Sequence, residues 1–96
     1  MADSLSDLMF NYFSSQPTGS TEKSLSDNSF AYYAAQPGGD PSKSLSYNMR
    51  LYFSTQPTGD PNKTLLDNMD AFFAAQPTGA PENSLTDNMY AYYGSV

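Results

Sequence analysis

The 96-residue sequence contains no cysteine, histidine or tryptophan. Without cysteine, the chain forms no disulfide and offers no thiolate to a metal ion, so neither can reinforce a small core. Without histidine and cysteine, it also lacks the side chains that most readily act as a base or a nucleophile near neutral pH. We therefore expect no enzymatic activity, no cofactor, no metal site and no small-molecule substrate.

Charged residues are scarce and mostly acidic, with four Lys and Arg against ten Asp and Glu and a formal net charge of −6. An acidic chain repels phosphate backbones, so we expect no nucleic-acid partner. No apolar run approaches the roughly 20 residues needed to cross a bilayer, and no basic helix face would bind anionic lipid, so we expect no membrane partner. The start, MADSLSDLMF, lacks the basic segment and long apolar core of a secretory signal.

What the sequence does contain is a period of 20 residues, marked by leucines at 5, 25, 45, 65 and 85. The repeats span 4–23, 24–43, 44–63 and 64–83, with a truncated fifth repeat at 84–96. We predict a single repeat domain over residues 1–96, with no tail, linker or second domain.

Each repeat opens with the signals of a helix N-terminus. A Ser or Thr precedes the leucine, and an Asp follows three residues after it except at Tyr47, which resembles a capping box. The hydroxyl can accept a hydrogen bond from the first turn, and the carboxylate favours the positive end of the helix. The predicted helix caps are Ser4, Asp7, Ser24, Asp27, Ser44, Thr64, Asp67, Ser84 and Asp87.

A Gln-Pro pair then ends each of the first four helices, at 16–17, 36–37, 56–57 and 76–77, and a glycine suited to a turn follows. We predict an all-α protein of five helices, each about three turns long. Pro/Gly turns join them, in a solenoid-like arrangement or extended along a partner. Asp40-Pro41 and Asp60-Pro61 favour turns rather than a calcium site, because the spacing is not that of a calcium loop. The connectors allow neighbouring helices to run parallel or antiparallel.

Within the helix, Leu5, Met9, Tyr12 and Phe13 form one apolar stripe at i, i+4, i+7 and i+8. One repeat cannot bury this stripe, so its neighbours must. We estimate that the five stripes exceed what one chain of this length hides, which predicts a second molecule over the remainder. Asparagines recur on the margin of the stripe, and we hypothesise that they bind the connector backbone; they are Asn28, Asn48, Asn68 and Asn88.

An aromatic pair closes each stripe. Either both rings fill the core with their phenol tips in water, or one ring is core and the other anchors an interface. Consecutive helical positions diverge by about 100°, so we expect the two rings not to point into one small core. A third side of the helix presents Phe10, Phe30 and Tyr90. Arg50 and Asp70 occupy the equivalent position in the other two repeats. The candidate interface residues are Phe10, Tyr12, Phe13, Phe30, Tyr32, Tyr33, Tyr52, Phe53, Phe72, Phe73, Tyr90, Tyr92 and Tyr93.

The segments SLSDLMFNYFSSQPTG and SLTDNMYAYYGS resemble short Ser-Leu-x-Asp…Tyr-Tyr helical repeats of structural proteins in tailed bacteriophages. The likeness extends over the whole chain. It implies an accessory protein of the virion that binds capsid or tail subunits, copies of itself, or both, and that assembles in the host cytoplasm without enzymatic activity.

Two other functions fit the residues. A small cellular scaffold or adaptor would use a short solenoid to bind a protein partner, but a free solenoid needs polar ends. Leu8, Met9, Phe10 and Phe13 make the first helix as apolar as the internal ones, which favours an end covered by a partner. A tyrosine-rich segment that condenses or forms fibrils is less compatible with seven prolines, which interrupt strand pairing.

Overall fold

Helices begin at the predicted caps in the computed structural model, which describes residues 3–96. Met1 and Ala2, included in the domain assigned to residues 1–96, lie outside the described residues. Ser4 Oγ accepts a hydrogen bond from Asp7 N at 3.1 Å and opens the first helix, and the corresponding hydroxyl opens each of the others. The helices are α1 Leu5–Ser14, α2 Leu25–Ala34, α3 Leu45–Ser54, α4 Leu65–Ala74 and α5 Leu85–Ser95.

The predicted all-α tandem repeat is confirmed, since residues 3–96 contain five helices and no strand. The first-turn acids are Asp7, Asp27, Asp67 and Asp87. In α3 this position is Tyr47, whose backbone amide donates to Ser44 Oγ as in the other helices. The bond to the hydroxyl therefore forms without a neighbouring carboxylate.

The Gln-Pro-x-Gly segment folds back tightly against the end of its helix. Gln56 Nε2 donates to Tyr52 O at 3.2 Å, which satisfies one of the free carbonyls of the last turn. Gly59 N then donates to Gln56 O at 2.8 Å. A Cβ on Gly59 would overlap the carbonyl oxygens of Phe53 and Ser54. Glycine is required here by the close approach of two backbones.

The hypothesis about the asparagines is confirmed. Asn48 is 1% exposed and binds both backbone groups of Asp40: its Oδ1 accepts from Asp40 N at 2.8 Å, and its Nδ2 donates to Asp40 O at 3.0 Å. The same pair of bonds joins each of the other three asparagines to the residue eight positions earlier. Each amide thereby fixes the connector that precedes its own helix.

The connectors also form the predicted Asx turns. Asp40 Oδ1 accepts from Ser42 Oγ at 2.6 Å and from Ser42 N at 2.9 Å, and these two bonds hold the pKa of the Asp40 carboxyl below its usual range. Asp60 Oδ1 accepts from Asn62 N in the same way. Both carboxylates therefore act within their own turns.

The row of helices closes on itself. Each helix packs against the next, and α5 packs against α1. Equivalent residues of consecutive helices meet, which makes the helices parallel. The ring is flat, with extents of 39 × 36 × 16 Å. Tyr90 Oη donates to Asp3 O at 2.8 Å across the closure. An open solenoid with an exposed first helix is therefore not what forms: α5 covers α1, so that end needs no partner.

Ring closure also changes the expected role of the aromatic pairs, because both rings of each pair face the interior. The first aromatic layer consists of Tyr12, Tyr32, Tyr52, Phe72 and Tyr92, with neighbouring ring centroids 6.1–6.4 Å apart. The second aromatic layer consists of Phe13, Tyr33, Phe53, Phe73 and Tyr93, with centroids 5.7–5.8 Å apart.

The expectation that paired rings diverge from a common core is wrong for this geometry. Each ring of the first layer packs edge-on against the second-layer ring of the preceding helix, as Tyr52 does against Tyr33 at 5.3 Å. A closed circle gives each helix two neighbours, so rings about 100° apart are both covered. Second-layer rings are 1–4% exposed, whereas first-layer rings are half-buried. The chain thus covers its second layer without a second molecule.

Candidate functional site

A recess wide enough for a ligand lies on the axis of the ring, on the face formed by the helix N-termini. This recess, which we call the axial cup, has a volume of about 210 Å³. Leu25, Leu45 and the exposed Ser26 stand at its mouth, and Phe13, Tyr33 and Tyr93 of the second layer form its floor.

The wall of the axial cup is a ring of methionines with one member missing. Met9, Met49, Met69 and Met89 occupy equivalent positions one turn before the second layer, and Ser29 takes that position in α2. Methionine side chains are flexible and polarizable, so they fit apolar ligands of irregular shape. Serine is smaller than methionine and leaves space above Tyr33.

Two phenols bring polarity to the floor of the axial cup. Tyr33 and Tyr93 belong to α2 and α5, which are separated by α1. Their phenols nevertheless lie close enough across the axis to shift each other's pKa. Burial raises the pKa of Tyr33 far above its ordinary value, and Tyr93, Tyr52 and Tyr32 raise it further. Burial also raises the pKa of Tyr93. Both phenols are neutral at physiological pH and act only as hydrogen-bonding groups.

This pKa shift predicts a loss of stability in alkali. Unfolded tyrosine ionises near pH 10, whereas Tyr33 in the fold does not until a much higher pH. Above pH ~10 the unfolded state therefore binds fewer protons than the folded state, and the free energy of unfolding falls as pH rises. Below pH ~10 the phenol is protonated in both states, so its contribution to the free energy of unfolding is fully present.

Urea unfolding at pH 8 and pH 11 measures this effect. We expect Tyr33→Phe to lose less stability between the two pH values than the parent does. Tyr47→Phe removes a phenol that is 49% exposed and serves as the matched control. Equal pH dependence in all three proteins would contradict the assignment of Tyr33 as the buried group responsible.

Beyond the floor of the axial cup, both aromatic layers enclose a second, much smaller cavity of about 20 Å³. This volume is close to that of a single water site. Burial raises the pKa of the first-layer phenols Tyr12, Tyr32, Tyr52 and Tyr92, and the neighbouring phenols of the same layer also shift these values. Phe72 interrupts the circle of phenols. The cavity is too small for a ligand larger than water.

The outside of the ring carries grooves at equivalent places in successive repeats. One groove, of about 600 Å³, lies between Lys23, Phe30, Ala34 and Pro41. The corresponding groove one repeat later is lined by Tyr47, Arg50, Leu51, Ser54 and Pro61 and measures about 200 Å³. An outward groove is therefore present in two successive repeats, and its chemistry differs between them.

The structure separates the predicted interface residues into two groups. The aromatic pairs face the interior in the two layers. Phe10, Phe30 and Tyr90 lie on the outside, where Tyr90 is 39% exposed and the two phenylalanines are half-buried. The equivalent Arg50 and Asp70 are exposed. Their role in binding a protein stays a prediction, and the outer group lies on a surface that a partner can reach.

The axial cup was not predicted from the sequence. Its signal is the alignment of the repeats at one position, which gives Met9, Ser29, Met49, Met69 and Met89. The single serine in that column marks the gap in the methionine wall. One polar residue in an apolar stripe does not indicate a binding site unless the five stripes are known to meet on an axis.

Within residues 3–96, no group of three His, Cys, Asp or Glu side chains is placed to hold a metal ion. No helix in the described part of the chain has the length and apolar character needed to cross a membrane.

Comparisons with protein families, with curated proteins and with solved structures find no match to this chain.

Proposed function

We propose that this protein is a non-enzymatic structural protein of a bacteriophage virion, assembled in the host cytoplasm, that decorates or staples capsid or tail subunits. The starting point is the resemblance of its Ser-Leu-x-Asp…Tyr-Tyr repeats to those of tailed-phage structural proteins. The observation that carries the proposal furthest is the closed ring of five helices about one axis.

A ring of five repeats matches a partner with fivefold symmetry. Equivalent positions recur at regular intervals around the axis, so each repeat can meet the same part of an identical subunit. The fivefold vertex of a capsid is such an array, and a disc about 16 Å thick can lie flat upon it. Several weak contacts made together give high overall affinity without a large interface at any one of them.

The outward grooves are the surfaces that we assign to this contact. Phe30 offers an aromatic ring beside Ala34 and Pro41 in the widest of them, and aromatic side chains are typical anchors of protein interfaces. Asp70 occupies the position of Phe30 in α4, so the ring already accommodates a carboxylate there. Replacement of Phe30 by Asp therefore changes the surface without disturbing the core.

The test uses particles banded in a density gradient from lysates of cells that produce both the phage and the protein. We expect the protein to migrate with the particles and, in electron cryomicroscopy reconstructions, to occupy a fivefold axis. Phe30→Asp should reduce the bound fraction about tenfold, as expected for loss of an aromatic anchor. Asp70→Asn, at the equivalent position, is the matched control and should bind as the parent does. A parent protein that stays at the top of the gradient would contradict the proposal.

A further inference from the structure

We propose that the axial cup binds a small, uncharged, mostly apolar molecule that carries a hydroxyl group. The ligand is bound and not transformed, and the inference does not depend on the proposed virion function. It rests on the volume of the cup, the chemistry of its lining, and the convergence of its few polar atoms on one side.

The size of the axial cup suits a molecule of one aromatic ring. Its volume is about 210 Å³, whereas an apolar protein cavity of about 150 Å³ is sufficient to bind benzene. The floor is closed by the second aromatic layer, and the mouth lies at exposed Ser26. A ligand can therefore enter from solvent and bury most of its surface against the methionine wall.

The lining excludes a charged ligand. None of the described residues that line the axial cup is acidic or basic; the lining consists of Leu, Met, Phe, Tyr and Ser. Transfer of a charge into such a site without a partner is strongly unfavourable. Four methionines and two leucines provide the apolar contacts, so the ligand must itself be mainly apolar.

The polar atoms lie together where the methionine wall is open. Ser29 is 7% exposed and stands one turn before Tyr33 in the same helix. Tyr93 approaches Tyr33 across the axis on the floor. Hydroxyl groups donate and accept, so they match a ligand hydroxyl in either role. Phe13, the remaining residue of the floor, provides no such group, which makes the α2 side the place where the ligand hydroxyl binds.

The probe for the test is 4-methylphenol, with toluene as the isostere that lacks the hydroxyl. Binding is followed by NMR of the full chain labelled in the methionine methyl groups, because four methionines line the axial cup. We expect saturable shifts of these methyl signals with 4-methylphenol. Toluene should bind about fivefold more weakly, as expected when one hydrogen bond is lost.

Ser29→Met completes the methionine wall with the residue used at the same position in the other four repeats, so it should preserve the fold. We expect it to weaken 4-methylphenol binding by at least about tenfold, because it fills the space that the ligand needs. Ser54→Met makes the same change in the outward groove and should leave binding unchanged. Tyr33→Phe should reduce the preference for 4-methylphenol over toluene.

The absence of saturable shifts in the parent protein would overturn the proposal. So would a Ser29→Met variant that binds as tightly as the parent, or a Ser54→Met variant weakened to the same extent. Circular dichroism of each variant establishes that the helices are retained. If Ser29→Met were to unfold, the Tyr33→Phe variant would still test the proposal. An unchanged preference of this variant for 4-methylphenol over toluene would contradict the assigned hydroxyl site.

Discussion

Replacing Asn48 by Leu is expected to lower the free energy of unfolding by about 1–3 kcal/mol, the cost of one buried polar group left without a partner. The side chain is 1% exposed, and its Oδ1 is the acceptor for Asp40 N. Asp40 O and Ser44 O accept from its Nδ2, but they also accept from the backbone amides of Lys43 and Asn48. Leucine is similar in size, so the cost comes from the amide of Asp40, which loses its acceptor, rather than from a cavity.

The matched control for this change is Asn11→Leu. Asn11 is exposed in α1, and Leu51 is found at the equivalent position in α3. A surface change of this kind is expected to alter stability by no more than about 0.5 kcal/mol. Chemical denaturation with a two-state fit measures both variants. A value for Asn48→Leu as small as that of the control would show that the connector is not held by the asparagine.

Removal of α5 is expected to abolish cooperative unfolding. A chain that ends at residue 80 loses two helix interfaces, one with α4 and one with α1, because the ring is closed. It exposes the second-layer rings of Phe13 and Phe73, which are each 1% exposed in the intact ring. Burial of such side chains contributes about 1.5–3 kcal/mol each, and the whole domain is expected to be stable by only about 5–15 kcal/mol.

Thermal unfolding followed by circular dichroism tests this prediction, and a peptide of residues 81–96 provides its control. Added to the shortened chain, the peptide should restore a cooperative transition, since it supplies both missing interfaces. A shortened chain that melts as sharply as the parent, at the same temperature, would indicate an open row of repeats. In such a row the last helix adds only one interface and its loss is tolerated.

Much of the local structure could be predicted because it depends on neighbours in the sequence. Ser44 shows the point: its hydroxyl, followed by an apolar period and then Gln56-Pro57, predicts a helix that the structure gives as Leu45–Ser54. The asparagine hypothesis succeeded for the same reason, since Asn48 reaches a connector only eight residues away. Signals of this kind act over one turn or one connector.

Ring closure could not be predicted because it depends on an angle rather than on a pattern. Five parallel helices close only if each is rotated by one fifth of a turn from the last, and this rotation is set by side-chain packing such as that of Tyr52 between Tyr33 and Phe53. An amphipathic stripe is equally compatible with an open row. The axial cup exists only because the ring is closed. Its position beside Ser29 could therefore not be predicted from the sequence.

The most direct test of the closed ring is a nuclear Overhauser measurement between the side chains of Tyr12 and Tyr93. Their ring centroids lie 5.3 Å apart, although the residues are at opposite ends of the chain. Mixing labelled and unlabelled protein distinguishes contacts within one chain from contacts between chains. We predict cross-peaks between the two rings within a single chain. Their absence, or their appearance only between chains, would contradict a ring closed by α1 and α5.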